Sequence, residues 1–225
     1  MDTGIRRRRL TIRTDRDSWI SDFVPSLIRQ HLGAGHRVQW AHSGRLLAGG
    51  DICFIFGYSR ILDENALGLH SNNLVVHESD LSRRQGWSPL AWQALEGVDD
   101  ITVSPIEAGH EVESGHIYAK KLIRLRSDGF IDELRAAQGF VTRKPCERFM
   151  EGYPDSLAGV DPPKGKASYY PRRGPTDIRL ELEETLADQM QILPVVGNRR
   201  CPAFIRWCGR RIRLAVRIES GESPP

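Results

Sequence analysis

The stretch NLVVHESDLSRRQGWSPLAWQALEG, residues 73–97, reads as a buried strand, a basic loop and a helix in immediate succession. Asn73 to Val76 is short and apolar enough for a strand covered on both faces, and it delivers His77 to its carboxyl end. In an open α/β sheet that end is where ligands bind. Arg83 and Arg84 follow in the loop. Ser88 as N-cap and Pro89 at the first helical position then predict a helix through Leu95.

Working outward, Asp51 to Tyr58 (DICFIFGY) is a nearly continuous apolar run, as expected of a central strand. A short helix is expected around Leu62 to Leu69, with Asp63 and Glu64 favouring the positive end of its dipole. Further upstream, alternation at Leu10 and Ile12 and again at Val38 and Trp40 flanks Trp19 to Leu32, whose apolar residues recur at helical spacing. Gly33, Gly35 and Gly44 punctuate this unit, but no G-x-G-x-x-G opens the helix, so NAD is not the expected ligand. Downstream, Ile101 to Ile106 and Ile117 to Leu125 have strand character, and a helix runs from Asp128 or Gly129 to Gln138. Tyr153 to Arg173, rich in Pro, Gly and Lys, reads as a long loop or linker. The tail from Thr185 predicts a short helix and a hairpin, with Ala203 to Trp207 and Ile212 to Ile218 as strands and Cys208, Gly209 and Arg210 at the turn. The expected fold is α/β, a Rossmann-like, mostly parallel sheet flanked by helices, with a small C-terminal helix plus hairpin. Its organisation is a catalytic unit over residues 1–140, a linker over 141–176 and a small subdomain over 177–225.

A chain of 225 residues, 40% hydrophobic and 27% charged, can bury one main core. No apolar run approaches the ~20 residues of a bilayer span, and the basic start is followed by Arg13, Asp15, Arg16 and Asp17 where a secretory signal needs an apolar stretch. A cytoplasmic protein is expected. Cys53, Cys146, Cys201 and Cys208 form no C-x-x-C pair and lack zinc-site spacing, so no metal is expected; reduced thiols are preferred over a Cys201 to Cys208 disulfide. A net charge of +3 gives no reason to expect nucleic acid as a partner. The hairpin, with Phe204, Ile205, Trp207 and Val216, suits a sheet continued across a homodimer as well as one folded on its own domain.

Residues 73–97 also resemble the active-site strand, loop and helix of the folate-dependent formyltransferase family, which includes methionyl-tRNA and amino-sugar formyltransferases. The likeness is closest to the short sugar branch, in which a hydrophobic strand, His, Ser, Asp, Leu and a basic loop precede Gly-Trp-Ser-Pro. Gly109 to Tyr118 (GHEVESGHIY), Tyr169 to Asp177 (YYPRRGPTD), Val195, Val196 and Cys201 to Phe204 are similar to the same branch. The resemblance implies a formyltransferase fold and transfer of a formyl group from 10-formyltetrahydrofolate to the primary amine of a nucleotide-linked amino sugar. Methionyl-tRNA formylation is the alternative, although it should bring a longer basic C-terminal domain to grip phosphates. A catalytically impaired relative that binds folate or a sugar nucleotide is a third reading.

The resemblance also implies roles. An attacking amine must lose a proton and the developing oxyanion needs donors. His77 is the central catalytic candidate, and Glu113 stands where the family carries Asp. The family's Asn, two residues before the His, is replaced by Val75. Asn73 shares the face of His77 by period two but lies about 13 Å back along an extended strand. Asn73, Asn72, Ser79 or a backbone N–H are the alternative donors. The pterin is expected against Phe56, Gly57, Tyr58 and Ile61 and near Glu111 and Val112, with Phe54 as core. Arg83 and Arg84 suit the folate tail or the acceptor's phosphates. Tyr169, Tyr170, Arg172 and Arg173 combine stacking rings with phosphate-matching guanidinium groups, as a nucleotide diphosphate requires. Trp87 and Trp92 are expected to serve helix packing.

Overall fold

Leu10 and Ile12 alternate with Arg9, Thr11 and Arg13 in strand β1 (Arg9–Arg13), and this alternation sets the two faces of the sheet. The chain is described by a computed structural model over residues 6–42, 48–81, 83–109, 115–124, 129–158, 166–199 and 201–218. After β1 come a 3-10 turn at Trp19–Asp22, helix α1 (Val24–Gly33), β2 (Arg37–Ala41) and β3 (Gly50–Ile55). Next are α2 (Glu64–Leu67), β4 (His70–His77), β5 (Gln85–Gly86), α3 (Pro89–Leu95), β6 (Asp100–Glu107) and β7 (Lys121–Arg124). The long α4 (Ile131–Glu151), β8 (Tyr169–Tyr170) and a hairpin of β9 (Phe204–Trp207) and β10 (Arg210–Arg213) complete the order.

The main sheet runs β2-β1-β3-β4-β6-β7. Its β2, β1, β3 and β4 strands are parallel, whereas β6 is antiparallel to β4 and β7 to β6. One face carries Leu10, Ile12, Ile52, Phe54, Leu74, Val76, Ile101 and Val103, packed under Val24 and Leu27 of α1 and Leu134, Cys146 and Phe149 of α4. Burial of each large apolar side chain contributes roughly 1.5–3 kcal/mol, which makes this layer the main source of stability. The opposite face follows from the register Thr11 beside Cys53 beside Asn73, and Arg13 beside Ile55 beside Val75. Thr11, Arg13, Cys53, Asn73 and His77 on that face are buried although most are polar. The buried polar side chains therefore share a face of their own.

The sequence-based elements are largely met in order, with corrections to their bounds and caps. The helix expected over Trp19 to Leu32 is split, because Pro25 begins a new helix after the 3-10 turn. Ser88 is no side-chain cap: its backbone is left-handed (φ 50°), and no cap hydrogen bond forms. The helix expected to stop at Gln138 continues through Gly139 and Pro145 to Glu151, so a boundary at 140 falls inside α4. Glycine is accepted there because Phe23 occupies the space of a side chain. Within the expected loop of residues 153–173, Tyr169 and Tyr170 pair in parallel with Gln85 and Gly86. In the tail, a 3-10 turn at Met190–Val195 takes the place of the expected helix, and the second hairpin strand ends at Arg213. Cys208 and Gly209 both have positive φ at the hairpin turn, and Cys201 and Cys208 are free thiols. A small apolar group of Ile178, Leu180, Val196, Ala203 and Phe204 holds this tail together. Among the described residues no helix is long and apolar enough to cross a membrane.

A side chain at residue 139 would place its Cβ 2.7 Å from the Phe23 ring, whereas at residue 33 it would meet nothing within 4 Å. Gly139→Ala is expected to destabilise by about 1–3 kcal/mol in urea unfolding through overpacking. Gly33→Ala should be neutral or slightly stabilising. Equal behaviour of the two variants would contradict the described packing of α4 on Phe23.

Candidate active site

His77 ends β4 on the polar face, and its ring is 6% exposed. Its Nε2 lies 3.4 Å from the Arg84 carbonyl oxygen. A carbonyl only accepts, so this nitrogen carries the proton in that contact. Burial lowers the imidazole pKa to about 4, opposed in part by the Arg84 carbonyl. At neutral pH the ring is therefore uncharged, as a proton acceptor must be. Glu78, the next residue, points elsewhere: Gln138 of α4 donates to its carboxylate at 2.7 Å, and Gln93 donates to its backbone carbonyl at 2.7 Å. Burial raises the Glu78 pKa.

The loop beyond His77 and the distant tail are joined by β5 and β8. Arg84 N–H donates to Ser168 Oγ, Gln85 N–H to the Ser168 carbonyl and Trp87 N–H to the Tyr170 carbonyl. Gly86 has φ 97°, and a Cβ there would meet the Tyr170 carbonyl oxygen at 2.4 Å, so only glycine allows the two segments to touch. The Tyr170 ring stacks on Trp92 at 5.8 Å, and its hydroxyl donates to Glu96. Arg84 is held by Glu96 and by Gln93 Oε1. Arg172 lies over the Trp87 ring at 4.9 Å. Arg84, Tyr169, Tyr170 and Arg172 thus gather beside the His77 loop, although they come from segments about 85 residues apart in the chain. Arg83 and Arg172 are exposed, while Arg84 is committed to holding the loop. Trp87 and Trp92 receive the tail, a role that their helical spacing did not signal.

On the neighbouring strand, Phe56 is core: it is 2% exposed and stacks on Phe54 at 6.0 Å. It leaves its backbone at the rim while its ring faces the apolar layer. Gly57 has φ 49°, and a Cβ there would lie 2.2 Å from Ser18 Oγ. Tyr58 receives the Arg13 guanidinium over its ring, and Ile61 is 75% exposed. The connection from β3 thus turns sharply beside His77, with backbone and an apolar side chain available to a flat ligand.

No known family profile matches the chain. A methionyl-tRNA formyltransferase of Sorangium cellulosum (strain So ce56) is 26% identical over 110 residues, covering 47% of this chain and 35% of that protein. The match thus spans about a third of the length of the curated relative. Among solved structures, the methionyl-tRNA formyltransferase from Clostridium thermocellum superposes with a TM-score of 0.77 at 16% identity, over 95% of each chain. The chain has the formyltransferase fold. A sugar N-formyltransferase from Shewanella sp. FDAARGOS_354 gives 0.65 at 11% identity, covering 95% of this chain and 99% of the other. HypX from Aquifex aeolicus in complex with tetrahydrofolic acid gives 0.69 at 15% identity, covering 92% of this chain and 37% of that one.

Within this formyltransferase fold the slot two residues before His77 is apolar in surroundings as well as in identity. Val75 packs with Leu81, Ile106 and Ile117. Asn73 shares the face, but its Nδ2 donates to the Leu67 carbonyl at 3.0 Å, and its backbone N–H donates to Glu107 at 2.6 Å. Its side chain is engaged well back from His77. Asn72 donates to Glu107 and accepts from Tyr153, and Ser79 is fully buried. Glu107, not anticipated from the sequence, also accepts from the Tyr118 hydroxyl at 2.6 Å. Its pairing opposite Leu74 sets it below the rim, so it serves as a brace between β4 and β6. Glu111, Val112 and Glu113 lie outside the described residues, as do Gly44, Leu125 and Asp128.

The lowered pKa of His77 gives the protein an acid sensitivity. An unfolded histidine takes up a proton below about 6.5, whereas this folded one resists until about 4. The unfolded state therefore binds more protons across that window, and stability falls as pH drops through it, by about 3 kcal/mol for this group. His31, also lowered to about 4 by burial, acts in the same direction. Urea unfolding at pH 7 and pH 4.5 should show a smaller acid loss for His77→Gln than for the parent protein. Equal losses in the two would show that His77 is not held neutral.

Proposed function

We propose that the protein transfers a formyl group from 10-formyltetrahydrofolate to the primary amine of a nucleotide-linked amino sugar. The supporting observation is a neutral, buried imidazole at the carboxyl end of a central strand, beside a rim of exposed cations and aromatic rings. The formyltransferase fold and its tetrahydrofolate-bound neighbour HypX favour a folate donor. The amine nitrogen attacks the formyl carbon, the carbonyl oxygen takes the electron pair, and collapse expels the folate nitrogen. His77 accepts the proton lost by the amine and returns it to the leaving nitrogen. Glu113, which in this reading orients the imidazole, supplies the family's carboxylate with one more methylene.

Val75 removes the amide donor from its usual slot, so the oxyanion relies on a backbone N–H or another donor of the rim. Asn73, committed to Leu67, is then a strand-positioning residue. The pterin lies along the backbone of Phe56, Gly57, Tyr58 and Ile61 and near Glu111 and Val112. Arg83 and Arg172 take the acceptor's phosphates, with Tyr169 and Tyr170 beside its base. The curated relatives named for methionyl-tRNA give a specific second acceptor, the charged initiator tRNA.

Mass spectrometry of reactions with 10-formyltetrahydrofolate decides between them. A panel of nucleotide-linked amino sugars should gain one formyl unit, while charged initiator tRNA remains unmodified; the reverse would select the tRNA reading. His77→Ala should lower turnover by at least about 100-fold, the usual range for a lost acid-base group, while tetrahydrofolate binding persists. Near-normal turnover in that variant would remove His77 from the chemistry.

A further inference from the structure

Arg13 is the last residue of β1 and is 1% exposed, among the most buried large side chains in the molecule. A guanidinium out of water normally has a carboxylate or several carbonyl oxygens around it, because an unpaired buried charge is strongly destabilising. Here its Nε has no hydrogen-bond partner among the described residues. Among the described residues, its guanidinium lies against the ring of Tyr58, 5.1 Å from Cζ to centroid.

Among the described residues, the carboxylates of Asp15, Asp51 and Glu107 are engaged elsewhere. Asp15 accepts from the Ser59 N–H, Asp51 accepts from the Arg9 N–H and pairs with Arg8, and Glu107 is held by Asn73 and Tyr118. Cys53, beside Thr11, is a neutral thiol with its pKa pushed up to about 12 by burial. Two further buried polar atoms of the same sheet, His70 Nδ1 and Asn73 Oδ1, also have no hydrogen-bond partner among the described residues. Among the described residues, this leaves a buried guanidinium without a counter-charge, a place suited to an anion from outside the fold.

We propose that Arg13 receives an oxyanion, a phosphoryl or carboxylate group, of a ligand bound on the carboxyl rim of the sheet. Arg13, Ile55 and Val75 share one row across three parallel strands, and His77 lies two residues further on the same face. Strand spacing and rise put the Arg13 and His77 backbones about 12 Å apart. One ligand can reach both. The Tyr58 ring backs the guanidinium, and the fork of N–H donors that an arginine carries suits an oxyanion. The site stands on its own charge balance and is independent of whether formyl transfer is the reaction.

Thermal unfolding in chloride buffer tests it, with inorganic phosphate, a nucleoside diphosphate, acetate and p-aminobenzoylglutamate added separately. At about a hundred times its dissociation constant, the ligand that fits should raise the midpoint by roughly 5–10 °C. A response to phosphate and the nucleoside diphosphate identifies a phosphoryl site; a response to acetate and p-aminobenzoylglutamate identifies a carboxylate site. Arg13→Met, apolar and of similar length, should unfold at the same or a higher temperature than the parent in chloride and should lose the response. Arg13→Lys, which keeps the charge without the fork, should bind at least tenfold more weakly. The proposal is overturned if no anion shifts the parent protein, if Arg13→Met retains the shift, or if Arg13→Met is unstable in chloride while Arg13→Lys binds as tightly as the parent.

Discussion

Two parallel pairings, β1 with β3 and β3 with β4, fix which atoms meet at the rim. Leu10, Ile52, Phe54 and Leu74 face the helices together, and this apolar layer dictates that Arg13, Ile55, Val75 and His77 emerge on the other side. A shift of one residue in either pairing would exchange the two sets and bury charge under α1 and α4. The hydrophobic layer is therefore what aims the polar groups. Their cost in desolvation, visible in the depressed pKa of His77 and in the burial of Arg13, is borne by a core on the opposite face.

The second constraint is the contact between residues 84–87 and 168–171. It is made of backbone pairing, a tyrosine stacked on a tryptophan, and a glycine whose φ no other residue tolerates well. Through it the C-terminal portion of the chain is tied to the loop beside His77. The acidic residue within the contact, Glu96, gathers Arg84 and Tyr170 at once, and the resulting burial and carboxylate raise the Tyr170 phenol pKa. Loop and tail consequently behave as one unit, and a ligand that meets Arg172 meets a surface fixed by the loop.

Much of this was legible in the sequence because local pattern and tertiary environment agree. DICFIFGY and NLVV are strands by composition alone, and the order strand, loop, helix after Asn73 is as observed. His77, Arg84, Tyr169, Tyr170 and Arg172 were identifiable from residue type and resemblance, and the fold brings them to one region. What was hidden depends on partners distant in sequence. Gly139 reads as a helix end until Phe23 is seen to fill its empty side. Glu107 reads as the polar end of a strand until Asn72, Asn73 and Tyr118 converge on it. Arg13 reads as one more basic residue near a basic terminus; its near-complete burial, with Nε unpartnered among the described residues, distinguishes it.

The proposed ligand site of this formyltransferase fold is the carboxyl rim of β1, β3 and β4. Hydrogen–deuterium exchange with and without tetrahydrofolate addresses it directly. Slowed exchange is expected in the segments carrying Phe56 to Ile61 and His77 to Gly86, with α1 and β10 unchanged. Protection confined to the helical side of the sheet, or absent at a folate concentration that saturates binding, would contradict it.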